Sequence, residues 1–129
     1  MEKLIADYFN SKNIAVVGAS TDKSKFGYRV FKLLKMKGYN AIPVNPKIEE
    51  LDGVKAYPDI ASIEGDIDAV SFIIPPDRAM PVLEQIKERG IDLVWFQPGA
   101  ESYKLTRYCE SNDIRAIYHR CVLVEAERF

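Results

Sequence analysis

No apolar run in the 129-residue sequence reaches the ~18 residues that a membrane-spanning helix needs. The opening residues, Met1-Glu2-Lys3-Leu4-Ile5-Ala6-Asp7, lack the apolar centre of a secretory signal. Histidine occurs once, at His119, and cysteine twice, at Cys109 and Cys121. A zinc site of four cysteines, or of two cysteines with two histidines, is therefore excluded within one chain. A charge excess of one sign is missing too: 18 Lys and Arg face 19 Asp and Glu, a formal net charge of −1. That balance suggests neither a nucleic-acid platform nor a polyanionic tail. Repeats, low-complexity tracts and linkers are also lacking, so residues 1–129 read as one domain. The expectation is a cytoplasmic protein with reduced thiols and no nucleic-acid or membrane partner.

What is present is a strict alternation of strand and helix. Leu4, Ile5, Tyr8 and Phe9 recur at helical spacing, which predicts a short helix packed across a sheet edge. Asn13 to Gly18 is a short β-branched run of the kind buried on both faces of a parallel sheet. Ala19 to Lys25 is small and polar, hence loop. From Gly27 the period becomes 3.6, with Val30, Leu33 and Leu34 on one face and Gly38 as the left-handed stop. Tyr39 to Val44 is a second strand, cut off by Asn45-Pro46. A short edge strand over Val54 to Tyr57 follows, then a buried strand from Asp68 to Ile74. A helix through Met80, Leu83 and Ile86 must hold Pro81 in its first turn. Leu93 to Phe96 and Ile114 to Tyr118 are the remaining strands, with a helix over Ser102 to Ser111 between them. The tail from His119 reads as a short terminal helix. Such alternation predicts an α/β, Rossmann-like, three-layer αβα fold with a mostly parallel sheet of five to six strands in order 3-2-1-4-5.

In such sheets ligands bind outside the carboxyl ends of the strands, where the strand order reverses. Three strand ends meet that description. The first, Gly18-Ala19-Ser20, leads through Thr21, Lys23, Ser24, Lys25 and Phe26 to Gly27 and a helix start. Backbone amides at a helix N-terminus with lysines nearby suit a diphosphate, although the spacing is neither G-x-G-x-x-G nor a P-loop. The second, Val44-Asn45-Pro46-Lys47, lacks the acid that holds the ribose hydroxyls of NAD. It suits an adenosine whose ribose carries a phosphate, as in NADP or coenzyme A. The third, Ile74-Pro75-Pro76-Asp77-Arg78, offers an apolar wall and, in Arg78, a phosphate partner.

These residues carry a family resemblance. Val16-Val17-Gly18-Ala19-Ser20, Gly27-Tyr28-Arg29-Val30, Pro43-Val44-Asn45-Pro46, Val94-Trp95-Phe96-Gln97-Pro98-Gly99 and Arg120-Cys121 together resemble the small stand-alone CoA-binding proteins. Those are similar to the N-terminal CoA-binding domain of the succinyl-CoA synthetase α subunit. The resemblance runs from about Lys12 to Phe129, with His119 and Phe96 as departures from the family pattern. It implies coenzyme A as cofactor, its diphosphate at Gly18-Ala19-Ser20 and the helix start near Gly27. Val44-Asn45-Pro46 would meet the adenosine end, Lys47 or Arg29 the 3′-phosphate, and Ile74-Pro75 the remainder. Gln97, at a strand end, is a further candidate for ligand contact.

Catalytic signals are sparse. No carboxylate pair has acid/base spacing, no nucleophile elbow occurs, and His119 lies after the last strand without an oriented partner. Cys109 falls on an apolar helix face, whereas Cys121 follows Arg120 and His119, neighbours that can lower a thiol pKa. A mixed disulfide between CoA and a cysteine is conceivable on that basis. The residues favour a CoA or acyl-CoA binding module, as a homo-oligomer or beside an acyl-CoA-utilising partner protein. The alternatives are an NADP- or CoA-thiol-dependent redox protein and a CoA-binding subunit of an acyl-CoA synthetase complex.

Overall fold

The computed structural model describes residues 1–129. Five strands, β1 (Asn13–Val17), β2 (Asn40–Val44), β5 (Ala69–Phe72), β6 (Leu93–Phe96) and β7 (Arg115–Ile117), form one parallel sheet of order β2-β1-β5-β6-β7. Two further strands, β3 (Glu50–Leu51) and β4 (Val54–Lys55), make a separate antiparallel pair. The place outside β2 that a third strand would fill holds a single parallel bridge, Val44 to Tyr57. Counted in chain order with that bridge, the sequence runs 3-2-1-4-5-6 across the sheet, and the fold is Rossmann-like α/β.

Alternation along the strands divides the core in two. Ile14, Val16, Ala69, Leu93 and Trp95 face α1 (Glu2–Phe9), α2 (Phe26–Met36) and α5 (Val122–Glu125). Ala15, Val17, Val70, Phe72, Val94 and Phe96 face α3 (Met80–Glu88) and α4 (Tyr103–Ser111). Both sheet faces are therefore covered, as an all-parallel sheet requires. Local signals explain the helix ends. Ser102 caps α4, its hydroxyl accepting from the Leu105 amide at 3.2 Å. Gly38, at φ +94°, ends α2, and the Tyr39 amide closes back on the Leu34 carbonyl at 3.0 Å.

The first helix departs from expectation. It lies over the sheet face rather than across an edge. The Tyr8 hydroxyl meets the Ser71 hydroxyl of β5 at 2.6 Å, and the Tyr8 ring packs edge-on against Trp95 at 4.8 Å. Ser71 is the one polar side chain pointing from mid-sheet into this layer, and Tyr8 satisfies it. The C-terminal segment is tied down nearby. Trp95 Nε1 donates to the Arg120 carbonyl at 2.8 Å, and Arg120 and Arg128 both pair with Glu2. No helix is long and apolar enough to cross a membrane.

Candidate functional site

The sheet order reverses beside β1, and a crevice of about 580 Å3 opens there at the carboxyl ends of β1, β2 and β5. Its floor is backbone. Gly18 takes φ +100°, and a Cβ there would stand 3.0 Å from the Ile73 carbonyl carbon. A Cβ at Gly27 would overlap the Gly18 carbonyl oxygen. Only this pair of glycines lets the head of α2 close on the end of β1. The Phe26 and Gly27 amides that open α2 have no acceptor within the chain, as first-turn amides do not. No acidic residue lies in that turn, so the positive end of the helix dipole is left bare.

The rim is held by side-chain bonds. Asn45 Nδ2 donates to the Ala19 carbonyl at 2.8 Å, and its Oδ1 accepts from the Lys47 amide at 2.8 Å. One side chain thus fixes the β1 and β2 loops together. In the β1–α2 loop, the Asp22 carboxylate accepts from the Ser24 hydroxyl at 2.7 Å and the Ser24 amide at 3.0 Å. Those bonds hold its pKa below the usual carboxylate value. Lys25, Lys47 and Arg78 line the crevice, all exposed, and none is in an ion pair.

Eleven of the residues singled out in the sequence converge here: Gly18, Ala19, Ser20, Lys25, Val44, Asn45, Pro46, Lys47, Ile74, Pro75 and Arg78. Five do not line it. Gly27 packs beneath the floor. Lys23 borders a separate depression with Tyr28, Lys32 and Asp52. Phe26 and Arg29 stand on the outer face of α2, the guanidinium 5.0 Å above the ring centroid. Gln97 is buried and turned away: its Nε2 donates to Cys121 Sγ at 3.0 Å and its Oε1 accepts from the Val122 amide at 3.1 Å. The crevice gains residues that the strand-end reading missed, chiefly Pro58, Asp59, Pro81, Val82 and Gln85. The Val44–Tyr57 bridge makes Pro58 and Asp59 a fourth strand end. Arg78, Val82 and Gln85 follow at near-helical spacing on the adjoining turn and α3.

The family described as CoA binding domain matches residues 12–127. The chain belongs to that family. Among relatives of this CoA-binding domain, the α subunit of the ADP-forming acetate–CoA ligase II of Pyrococcus furiosus is 41% identical over 85 residues. The match covers 65% of this chain but only 19% of that subunit. The uncharacterized protein YneT of Bacillus subtilis is 32% identical across 88% of this chain and 84% of its own length. Among solved structures, a hypothetical protein from Pyrococcus horikoshii aligns with TM-score 0.93 at 32% identity, covering 98% of this chain and 89% of that one.

The cysteines and the histidine of this CoA-binding domain stand outside the crevice lining. Cys109 is fully buried on the inner face of α4, and burial raises its thiol from 9.0 to about 11. Cys121 is partly exposed and held by Gln97. His119 takes a left-handed conformation, φ +61°, with Nδ1 3.8 Å from Glu101 Oε1. It borders a groove of about 650 Å3 between β7 and α4.

Proposed function

We propose that this chain binds coenzyme A in the crevice at the ends of β1, β2 and β5, as a binding module without turnover of its own. The observation that carries the reading is the head of α2. Two free amides and a bare helix dipole open α2 directly after Lys25, which lines the crevice with the unpaired Lys47 and Arg78, over a floor that only glycine permits. That combination suits a diphosphate approaching the backbone closely. The diphosphate would lie along Gly18-Ala19-Ser20 and the Gly27 turn, with Lys25 and Arg78 beside it. The adenosine end would meet Val44-Asn45-Pro46, with Lys47 toward the 3′-phosphate and Ile74-Pro75 along the pantetheine arm. Arg29, on the outer face of α2 against Phe26, is set aside as a phosphate partner.

Calorimetric titration with coenzyme A, dephospho-coenzyme A and NADP tests this. Coenzyme A is expected to bind tightest, and dephospho-coenzyme A more weakly. Equal affinity for NADP would reject the assignment. The similarity to an acetate–CoA ligase α subunit favours a second level of the reading, in which the module serves a larger acyl-CoA-forming assembly. Recovery of a larger partner subunit with ADP-forming acyl-CoA ligase activity that stays bound through gel filtration would support that level.

A further inference from the structure

We propose that Asp59 and Gln85 read the base of the ligand and select a 6-aminopurine over a 6-oxopurine. The inference rests on the coenzyme A reading of the crevice and names two residues with no part in the diphosphate site.

Both side chains line the crevice, and both are fastened to the same turn. Asp59 Oδ1 accepts from the Ser62 amide at 2.9 Å, which leaves Oδ2 without a partner in the chain. Gln85 Oε1 accepts from the Ala61 amide at 3.1 Å. A backbone N–H can only donate, so that bond fixes the flip of the amide. The group left over must be the Nε2 donor. The turn therefore presents one fixed acceptor and one fixed donor to the crevice.

The turn is also rigid. Arg89, at the end of α3, donates to the carbonyls of Ile60 at 3.0 Å, Ile63 at 2.6 Å and Gly65 at 2.7 Å. Apolar walls from Pro58, Pro81 and Val82 flank the two polar groups, as a flat ring requires. Adenine carries an N6 amine, a donor, next to an acceptor ring nitrogen. Hypoxanthine and guanine carry an O6 acceptor at the same place. On the N6/N7 edge Asp59 Oδ2 accepts from the amine and repels the oxo group, while Gln85 Nε2 donates to N7, an acceptor in both kinds of purine.

The test compares coenzyme A with its hypoxanthine analogue by calorimetry, on the full chain. The wild-type protein is expected to bind coenzyme A about tenfold or more tighter than the analogue, the discrimination of one good bidentate base contact. Asp59→Asn keeps the Oδ1 bond to Ser62 and turns the free oxygen into an NH2 donor. It is expected to reverse the preference or abolish it. Gln85→Glu keeps the bond to Ala61 but removes the donor, and weakens both ligands. Equal binding of the two ligands by the wild-type protein overturns the proposal and leaves the coenzyme A reading standing. An unchanged preference in a folded Asp59→Asn protein overturns it too. Failure of coenzyme A itself to bind the wild-type protein overturns the coenzyme A reading, and this inference with it.

Discussion

The crevice at the ends of β1, β2 and β5 measures about 580 Å3, and the groove between β7 and α4 about 650 Å3. Their polar groups behave differently. In the groove, Arg107 donates to the Tyr103 hydroxyl at 3.1 Å and lies over its ring. Glu101 accepts from the Gly99 amide and faces His119, Ser102 caps α4, and the Thr106 hydroxyl bonds to the Tyr103 carbonyl. Those bonds tie the named side chains to one another or to the backbone, while Glu110 and the Tyr118 hydroxyl on the same lining keep no partner in the chain. In the crevice, Lys25, Lys47 and Arg78 have no side-chain partner, and Asp59 Oδ2 and Gln85 Nε2 stay free while Asp59 Oδ1 and Gln85 Oε1 are bonded to the Ser62 and Ala61 amides. Volume favours the groove, and unpaired positive charge favours the crevice. The crevice gathers three unpaired cations over a backbone floor, whereas the groove holds one, Arg107, among the carboxylates of Glu101 and Glu110.

The glycine floor offers the strongest way to break that contrast. Gly27→Ala forces the head of α2 off Gly18, so coenzyme A affinity is expected to fall about a hundredfold or more, near 2.7 kcal/mol. The groove counterpart, Tyr103→Ala, removes an exposed ring and should leave affinity within about twofold, the usual size of a remote surface effect. Calorimetry on both variants checks it, and equal losses would erase the distinction. A smaller effect is expected from charge. Lys47→Ala should weaken coenzyme A about tenfold, the worth of one charged phosphate contact, and leave dephospho-coenzyme A unchanged. Arg107→Ala in the groove should alter neither titration.

The same two regions show what could be read in advance. Strand cores and helix stops follow from local pattern: β-branched runs gave the strands, and Gly38 ended α2 as its position implied. The three expected strand ends do meet at the crevice, because order reversal is a rule of topology and needs no side-chain detail. Gln97 shows the limit of that rule. Strand alternation sends Phe96 toward α3 and α4, so Gln97 points to the opposite layer, where Cys121 and Val122 take up its amide. Parity along β6 held that signal. Arg29 and Phe26 likewise fall on the outer phase of α2, while Gly27 faces inward. Asp59 and Gln85 were illegible for a different reason. They meet through an irregular segment placed by one bridge at Tyr57 and three bonds from Arg89, contacts that no local period encodes. The α1 stripe showed that the helix buries a face, but its partner, Ser71, lies 63 residues from Tyr8.

Two smaller effects separate support from site. Tyr8→Phe leaves the Ser71 hydroxyl without its partner in the opposite layer. It is expected to cost about 1 kcal/mol of stability by chemical denaturation, with coenzyme A affinity unchanged. Cys109 lines the groove yet is sealed beneath it, and its thiol titrates near 11 instead of 9.0 because burial disfavours the thiolate. The folded chain therefore keeps that proton at a pH where the unfolded chain has lost it. Between pH 9 and about 11 the native state binds more protons, so this thiol makes stability fall as pH rises through that window. Cys109→Ala should flatten that part of the stability curve relative to wild type. In the native protein at pH 8, iodoacetamide should modify Cys121 well before Cys109, because the Cys109 thiol is both buried and protonated there. Rapid alkylation of Cys109 would mean that the groove opens to the core. The contrast between the two hollows would then fail.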